Sequence, residues 1–147
     1  MLDLVFRNDT TDKLFKEKFF RDILAIAIKE LKFQQKVEVS VNLVGESEIK
    51  TLNKKYRHKD ETTDVLSFPL NDKPATENGI LALGDIFICL SFVKNEAKRD
   101  NIDIETKLAQ LTVHGFLHLT GYDHEKSKDD ADRMFNLEKK ILKNSGF

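Results

Sequence analysis

The segment from Asp103 to Thr120 constrains the fold of this chain more than any other, because it is apolar over most of its circumference. At helical spacing, Leu108, Leu111 and Leu119 line one side, and further apolar residues occupy the others. A helix that is apolar all round is stable only when other elements surround it. The segment therefore predicts a central buried helix with a layered domain built around it.

The rest of the pattern predicts which elements surround that helix. Alternating or short apolar runs predict four strands, and amphipathic periodicity predicts four more helices. The strands cover about residues 2–6, 37–43, 65–69 and 83–90, and the helices about 12–31, 49–56, 91–98 and 127–141. This order is typical of a small α+β domain, with a roughly four-stranded mixed β-sheet packed with about five helices. Residues 71–79 predict an exposed loop.

Two serines stand where predicted helices begin. The hydroxyl oxygen of an N-cap serine accepts a hydrogen bond from a backbone N–H group of the first helical turn. Ser91 and Ser127 are therefore the predicted N-cap residues of the helices that follow them.

Length and composition bound the class of protein. A chain of 147 residues with 33% charged residues predicts one soluble globular domain over residues 1–147. The formal net charge of −1 gives no overall basic field, so a nucleic-acid partner must be held by a local patch. No apolar run approaches a membrane span, and Arg7 to Asp9 come too early for a signal peptide. The single cysteine, Cys89, cannot form an internal disulfide, which fits a cytoplasmic protein.

Three of the four histidines fall in one short stretch at the end of the central segment. His114 and His118 are four residues apart, so they share one face of a helix and can grip one divalent metal ion. Gly121 suits a left-handed turn that ends the helix, after which His124 can approach as a third ligand. Three imidazoles leave a fourth position open, as in a catalytic site. Zinc is the first choice, and nickel, copper, iron and manganese also fit this ligand type.

A metzincin-like metalloprotease has the same histidine spacing, with a glutamate after the first histidine as the general base. Gly115 occupies that position here, so the peptidase mechanism lacks its base. Gly115 serves either close helix packing or space for a bulky substrate, and the sequence does not separate the two. Asp123, beside His124, is a candidate for orienting a histidine.

A basic cluster lies at the end of the second predicted helix and comprises Lys54, Lys55, Arg57, His58 and Lys59. Cations at a helix C-terminus are favoured by the helix dipole and ordinarily face solvent. The alternative is a grip on phosphate. Arg57 is then its best member, because guanidinium binds phosphate through two hydrogen bonds and keeps its charge.

The chain resembles the bacterial YbeY family of metal-dependent endoribonucleases in three blocks. Residues 114–124 read as the family's H-G-x-L-H-L-x-G-Y-D-H motif, residues 52–57 with 63–69 resemble a second block, and residues 83–86 a third. The chain departs from the family pattern at His58 and Thr62, where glycine and proline are usual. The resemblance therefore does not give the shape of the loop after Arg57.

The resemblance implies an endoribonuclease that acts on single-stranded RNA in the cytoplasm. It implies a role in ribosomal RNA maturation, at the 3′ end of the 16S RNA, and in ribosome quality control. It further implies that His114, His118 and His124 bind zinc and that Arg57 is important for activity. The expected partners are single-stranded and ribosomal RNA with ribosomal subunits or ribosomal proteins; neither a membrane nor DNA is expected.

Two questions stay open at the level of sequence. The attacking group is either water activated by the metal or the 2′-hydroxyl of the RNA, and no general base is assigned. A non-catalytic ribosome- or RNA-binding module with a structural metal is the alternative outside the enzymes. Three histidines without a fourth protein ligand argue against it.

Overall fold

The computed structural model describes residues 1–123 and 125–147. Its strands are β1 (Leu2–Asn8), β2 (Lys36–Val44), β3 (Val65–Pro69), β4 (Thr76–Glu77) and β5 (Ile80–Cys89). Its helices are α1 (Glu17–Glu30), α2 (Glu46–Arg57), α3 (Leu90–Asp100), α4 (Ile104–Leu119) and α5 (Lys128–Asn144). The predicted α+β class, with a mixed sheet and five helices, is confirmed. The short strand β4 lies in the stretch predicted to be a loop.

The sheet has the strand order β1-β2-β5-β3, and β4 pairs with the beginning of β5. β1 and β5 both run parallel to β2, whereas β3 pairs with β5 in the antiparallel direction and forms an outer edge. The register of β2 and β5 shifts between Glu38 and Val39, opposite Gly84. Gly84 has φ +129, and a Cβ there would lie 2.2 Å from the Phe68 carbonyl oxygen, so only glycine fits.

The predicted central helix is α4, which packs against β3 and β5 and against α1, α3 and α5. Phe116 and Leu117 are completely buried although they lie on different sides of this helix, as the all-round apolar pattern requires. α2 covers the opposite face of the sheet, where Ile49 packs in a smaller cluster with Leu66 and Cys89. The sheet therefore has a thick helical layer on one face and a single helix on the other.

Gly115 is where α4 comes closest to the sheet. A Cβ at this position would lie 3.0 Å from Ser67 Oγ and 3.2 Å from Ile86 Cγ2. Ser67 on β3 also donates a hydrogen bond to the Gly115 carbonyl oxygen, at 3.1 Å. Of the two sequence-based explanations for Gly115, close packing is therefore the one that the structure supports.

The two predicted N-caps have different outcomes. The Ser127 hydroxyl accepts a hydrogen bond from the Asp130 N–H group at 3.1 Å, so that prediction is confirmed. The prediction for Ser91 is wrong, because the N-cap is Cys89, two residues earlier, and α3 begins at Leu90 directly after β5. Leu90 and Val93 are buried, so packing decides where this helix begins. Among the described helices, none is both long and apolar enough to cross a membrane.

Candidate active site

A surface pocket of about 450 Å³ opens between the edge strand β3, the end of α4 and the chain that follows α4. It brings Arg57 together with His114 and His118, which lie more than fifty residues later in the sequence. The remaining lining residues are Asp64, Val65, Ser67, Pro69, Asp72, Gly121, Tyr122, Asp123, Glu125 and Lys126. The edge of the central helix that carries the histidines therefore faces this pocket.

The two histidines of α4 meet at their Nε2 atoms, which are 3.0 Å apart, and their ring planes are nearly perpendicular. Two nitrogens bound to one zinc ion at about 2.0–2.1 Å in tetrahedral geometry lie roughly 3.3 Å from each other. The observed separation is a few tenths of an ångström shorter. The donor set and its spacing therefore fit one divalent ion held by both imidazoles.

A carboxylate outside the histidine stretch contacts the other nitrogen of His114. Glu138 on α5 places Oε1 2.6 Å from His114 Nδ1. The two side chains are 31% and 21% exposed, so the contact is largely shielded from solvent. The sequence predicts such a role for Asp123, and that role stays a prediction; Asp123 Oδ1 accepts a hydrogen bond from the Glu125 N–H group, at 2.8 Å.

The position of Glu138 in the sequence marks it as unusual. It lies on the same stripe of α5 as Met134 and Ile141, which are buried, and Leu137, which is half-buried. A carboxylate on the inward stripe of an amphipathic helix needs a polar partner in the core. The identity of that partner depends on how α5 packs on α4, which a single sequence does not reveal.

The chain turns sharply after α4, as the sequence predicts. Gly121 has φ +101, and the Tyr122 N–H group donates to the Leu117 carbonyl oxygen at 3.1 Å. Tyr122 and Asp123 consequently return to the pocket wall. The predicted third ligand, His124, lies outside the described residues. Within residues 1–123 and 125–147, no group of three or more potential metal-ligating side chains is gathered in one place.

Arg57 is the member of the basic cluster that reaches the pocket. It is the last residue of α2, and its side chain is exposed. Lys54 and Lys55 instead line a separate groove, where Lys54 lies 3.8 Å from Asp60. His58, at a position that departs from the family pattern, adopts the left-handed conformation with φ 60 and ends the helix.

A pair of carboxyl groups lies at one side of the pocket. Asp64 lines the pocket, while Glu96 on α3 has a side chain only 14% exposed. Glu96 Oε1 is buried and accepts from no donor group in the described part of the chain. Burial, followed by the hydrogen-bond contact with the Asp64 carboxyl, raises the pKa of Glu96 to about 7, against the smaller opposing effects of Lys107 and Arg99. A protonated Glu96 can donate a hydrogen bond to the Asp64 carboxyl, which accounts for this contact.

An α+β domain with a histidine pair and an arginine in one pocket defines a class of protein whose site can bind a metal ion and a phosphate group. The model of the family described as Endoribonuclease YbeY matches residues 5–146. The chain belongs to the YbeY endoribonuclease family.

Individual relatives agree with this family assignment. The chain is 39% identical to Endoribonuclease YbeY of Oenococcus oeni, over 99% of this chain and 98% of that protein. It is 35% identical to the protein of the same name from Persephonella marina, over 96% of this chain and 91% of that one. The solution structure of TM1509 from Thermotoga maritima superposes with a TM-score of 0.70 at 32% identity, covering 97% of this chain and 89% of that chain.

Proposed function

We propose that this protein is a zinc-dependent endoribonuclease that cuts single-stranded RNA in the cytoplasm. Its substrate is ribosomal RNA, with the 3′ end of the 16S RNA as the site of maturation, and it also serves ribosome quality control. One observation carries the proposal: the Nε2 atoms of His114 and His118 converge to 3.0 Å in the pocket that Arg57 lines. The names of the relatives, which are endoribonucleases, supply the reaction class.

The metal ligands in this proposal are His114, His118 and His124. The first two present converging nitrogen atoms, and the turn at Gly121 directs the chain back toward them before residue 124. Zinc is the first candidate for three imidazoles, and nickel suits the same ligands. When bound, the ion supplies Lewis-acid activation of a phosphate oxygen or of water.

Arg57 binds the phosphate group that is cut. It projects from the end of α2 into the pocket, where its guanidinium can form two parallel hydrogen bonds to phosphate oxygens. Such donors, fixed before the reaction, stabilise the negative charge that grows on the phosphate in the transition state. Arg57 therefore has its main effect on the rate of cleavage.

The charge of the pocket supports a cation-dependent site. Among the described residues, the lining includes four acidic side chains, Asp64, Asp72, Asp123 and Glu125, and two strongly basic ones, Arg57 and Lys126. An acidic lining repels RNA and attracts a divalent cation. The positive charge of the bound ion therefore offsets the repulsion between this pocket and a phosphate group. The net charge of −1 predicts weak affinity for generic RNA, and ribosomal subunits or ribosomal proteins provide the localisation.

The test is cleavage of defined single-stranded and duplex RNA by protein that has been stripped of metal and then reloaded with zinc. We expect zinc-dependent cleavage of the single strand, with loss of activity in His114→Ala and Arg57→Ala. Lys59→Ala is the matched control, because it removes an exposed cation of the same basic cluster that does not line the pocket. It should keep full activity.

Two results would separate the alternatives. Products that end in a 2′,3′-cyclic phosphate identify the RNA 2′-hydroxyl as the attacking group, whereas linear phosphates from the outset identify water. Zinc-loaded protein that binds RNA or ribosomal subunits but never cuts would instead be a binding module. That result would overturn the proposal of catalysis while leaving the metal site in place.

A further inference from the structure

The contact between His114 and Glu138 joins two elements that the sequence does not connect. Glu138 lies 24 residues after His114, on α5, and its Oε1 atom is 2.6 Å from His114 Nδ1. This is a short contact for a nitrogen and an oxygen and is typical of a charge-assisted hydrogen bond. Glu138 belongs to none of the blocks that carry the family resemblance.

The contact selects one form of the His114 ring. A carboxylate accepts hydrogen bonds, so the proton of a neutral imidazole beside it resides on Nδ1. The lone pair is then on Nε2, the atom that lies 3.0 Å from His118 Nε2. The carboxylate on one side of the ring and the second histidine on the other therefore favour the same tautomer and the same ring orientation.

We propose that Glu138 is a positioning residue that aims His114 Nε2 at the metal. The inference rests on the proposed metal site, because it assigns no role to Glu138 without an ion bound by His114. Glu138 accepts the Nδ1–H hydrogen bond, fixes the rotation of the imidazole, and raises the basicity of Nε2 as a ligand. It touches neither substrate nor ion.

The surroundings of Glu138 support a role beyond stabilising the packing of α5. α5 is already anchored by the burial of Met134 and Ile141, and by Lys140, whose Nζ lies 3.1 Å from Glu30 Oε2 on α1. An apolar side chain at position 138 would serve packing better, since taking a carboxylate from water costs free energy. The hydrogen bond with His114 accounts for a carboxylate at this position.

The experiment compares Glu138→Gln and Glu138→Leu with the wild-type chain. Gln keeps the length and a carbonyl acceptor, whereas Leu keeps the volume but removes the acceptor. Asp132→Asn is the matched control, because Asp132 is an exposed acidic residue of the same helix. Zinc affinity is measured by competition with a chelator. The His114 Nδ1–H proton of the zinc-loaded protein is observed by NMR.

We expect Glu138→Leu to weaken zinc binding by about 10- to 100-fold, and the Nδ1–H signal to be lost to fast exchange with water. Glu138→Gln should recover most of the affinity. Its Nδ1–H signal should remain visible but move upfield, because a neutral acceptor forms a weaker hydrogen bond. Asp132→Asn should match the wild type in both measurements.

The outcomes distinguish this inference from the function on which it rests. If the wild-type chain binds no zinc, the proposed metal site fails. If the wild type binds zinc and both variants bind it equally well with an unchanged Nδ1–H signal, Glu138 has no positioning role. If Glu138→Leu does not fold, Glu138→Gln decides, because an unmoved Nδ1–H signal in that variant would show that Glu138 is not the acceptor.

Discussion

Ser67 on the edge strand β3 donates a hydrogen bond to the main-chain oxygen of Gly115 on α4, with 3.1 Å between the two oxygens. The donor strand lines the pocket, and Gly115 lies directly after His114. This bond and the missing side chain at Gly115 together set how closely the histidine-bearing helix approaches the sheet.

Gly115→Ala should destabilise the protein although alanine is the better helix former. The new Cβ would meet Ser67 Oγ at 3.0 Å and Ile86 Cγ2 at 3.2 Å. Overpacking of this kind costs about 1–3 kcal/mol, and the gain in helix propensity returns up to about 1 kcal/mol. We expect a net loss of about 1 kcal/mol in the free energy of unfolding, measured by urea denaturation.

The double variant with Ser67→Ala is the control for Gly115→Ala. Removing Ser67 Oγ relieves the closer of the two contacts, so the two substitutions should cost less together than the sum of their separate effects. Strict additivity would indicate that the contact with Ser67 is not the cause.

His58→Gly should stabilise the protein. His58 holds the left-handed conformation at the end of α2, with φ 60 and ψ 31, which glycine adopts without the steric cost of a Cβ. Its side chain is exposed, so little packing is lost. We expect the free energy of unfolding to rise by about 0.5–1 kcal/mol. His58→Ala retains the Cβ and should give no gain, and equal effects of the two substitutions would contradict this explanation.

The Arg57→Lys variant tests whether Arg57 acts through its positive charge alone or also through the planar shape of its guanidinium group. Lysine keeps the charge but cannot form two parallel hydrogen bonds to one phosphate. We expect RNA cleavage to slow by on the order of 10²-fold, with RNA binding changed much less. Single-turnover cleavage rates, measured at saturating protein, test this directly. A variant with the wild-type rate would mean that Arg57 acts only through its charge.

The raised pKa of Glu96 should make the free energy of unfolding depend on pH. The pKa of Glu96 is raised to about 7 in the folded protein, above its value in an unfolded chain, so the folded state binds the extra proton. Its contribution is fully present below about pH 4.5 and is lost as pH rises through 7, by up to about 3 kcal/mol. Asp64, Lys107 and Arg99 are the charged groups that act on this carboxyl.

Glu96→Gln tests that assignment, because glutamine is neutral at every pH and its amide can donate to Asp64. Denaturation at pH 5 and pH 8 should show a smaller difference in unfolding free energy for this variant than for the wild type. Glu77→Gln, at an exposed position of β4, is the control and should leave the wild-type pH dependence unchanged. An unaltered profile in Glu96→Gln would assign the effect to another group.

Local pattern was enough to predict the five helices and four of the strands that the structure describes. Helix α4 was identifiable because it is apolar all round, and Ser127 because its cap depends only on the residues that follow it. Ser91 was misassigned because burial of Leu90 and Val93 outweighs its capping preference. Strand β4 has two residues, too few for a periodic signal.

The sequence predicts those parts of the candidate site that depend on local spacing or on the family resemblance. Spacing within α4 gave His114 and His118, and the family resemblance gave Arg57 its place beside them. Glu138 was missed because its partner depends on the packing of two helices, although its position among inward-facing residues marks it as unusual. The role of His124 stays a prediction, since that residue lies outside the described chain.

Strand β3 connects the two halves of the pocket through its alternating side chains. Leu66 and Phe68 pack toward α2, where Tyr56 lies next to Arg57, while Val65 and Ser67 approach α4 beside His114. A shift of this strand by one residue would exchange the two sets of side chains. A single hydrogen-bonding register of β3 therefore sets the distance between the guanidinium and the imidazoles, so a displacement of one wall of the cleft would also displace the other.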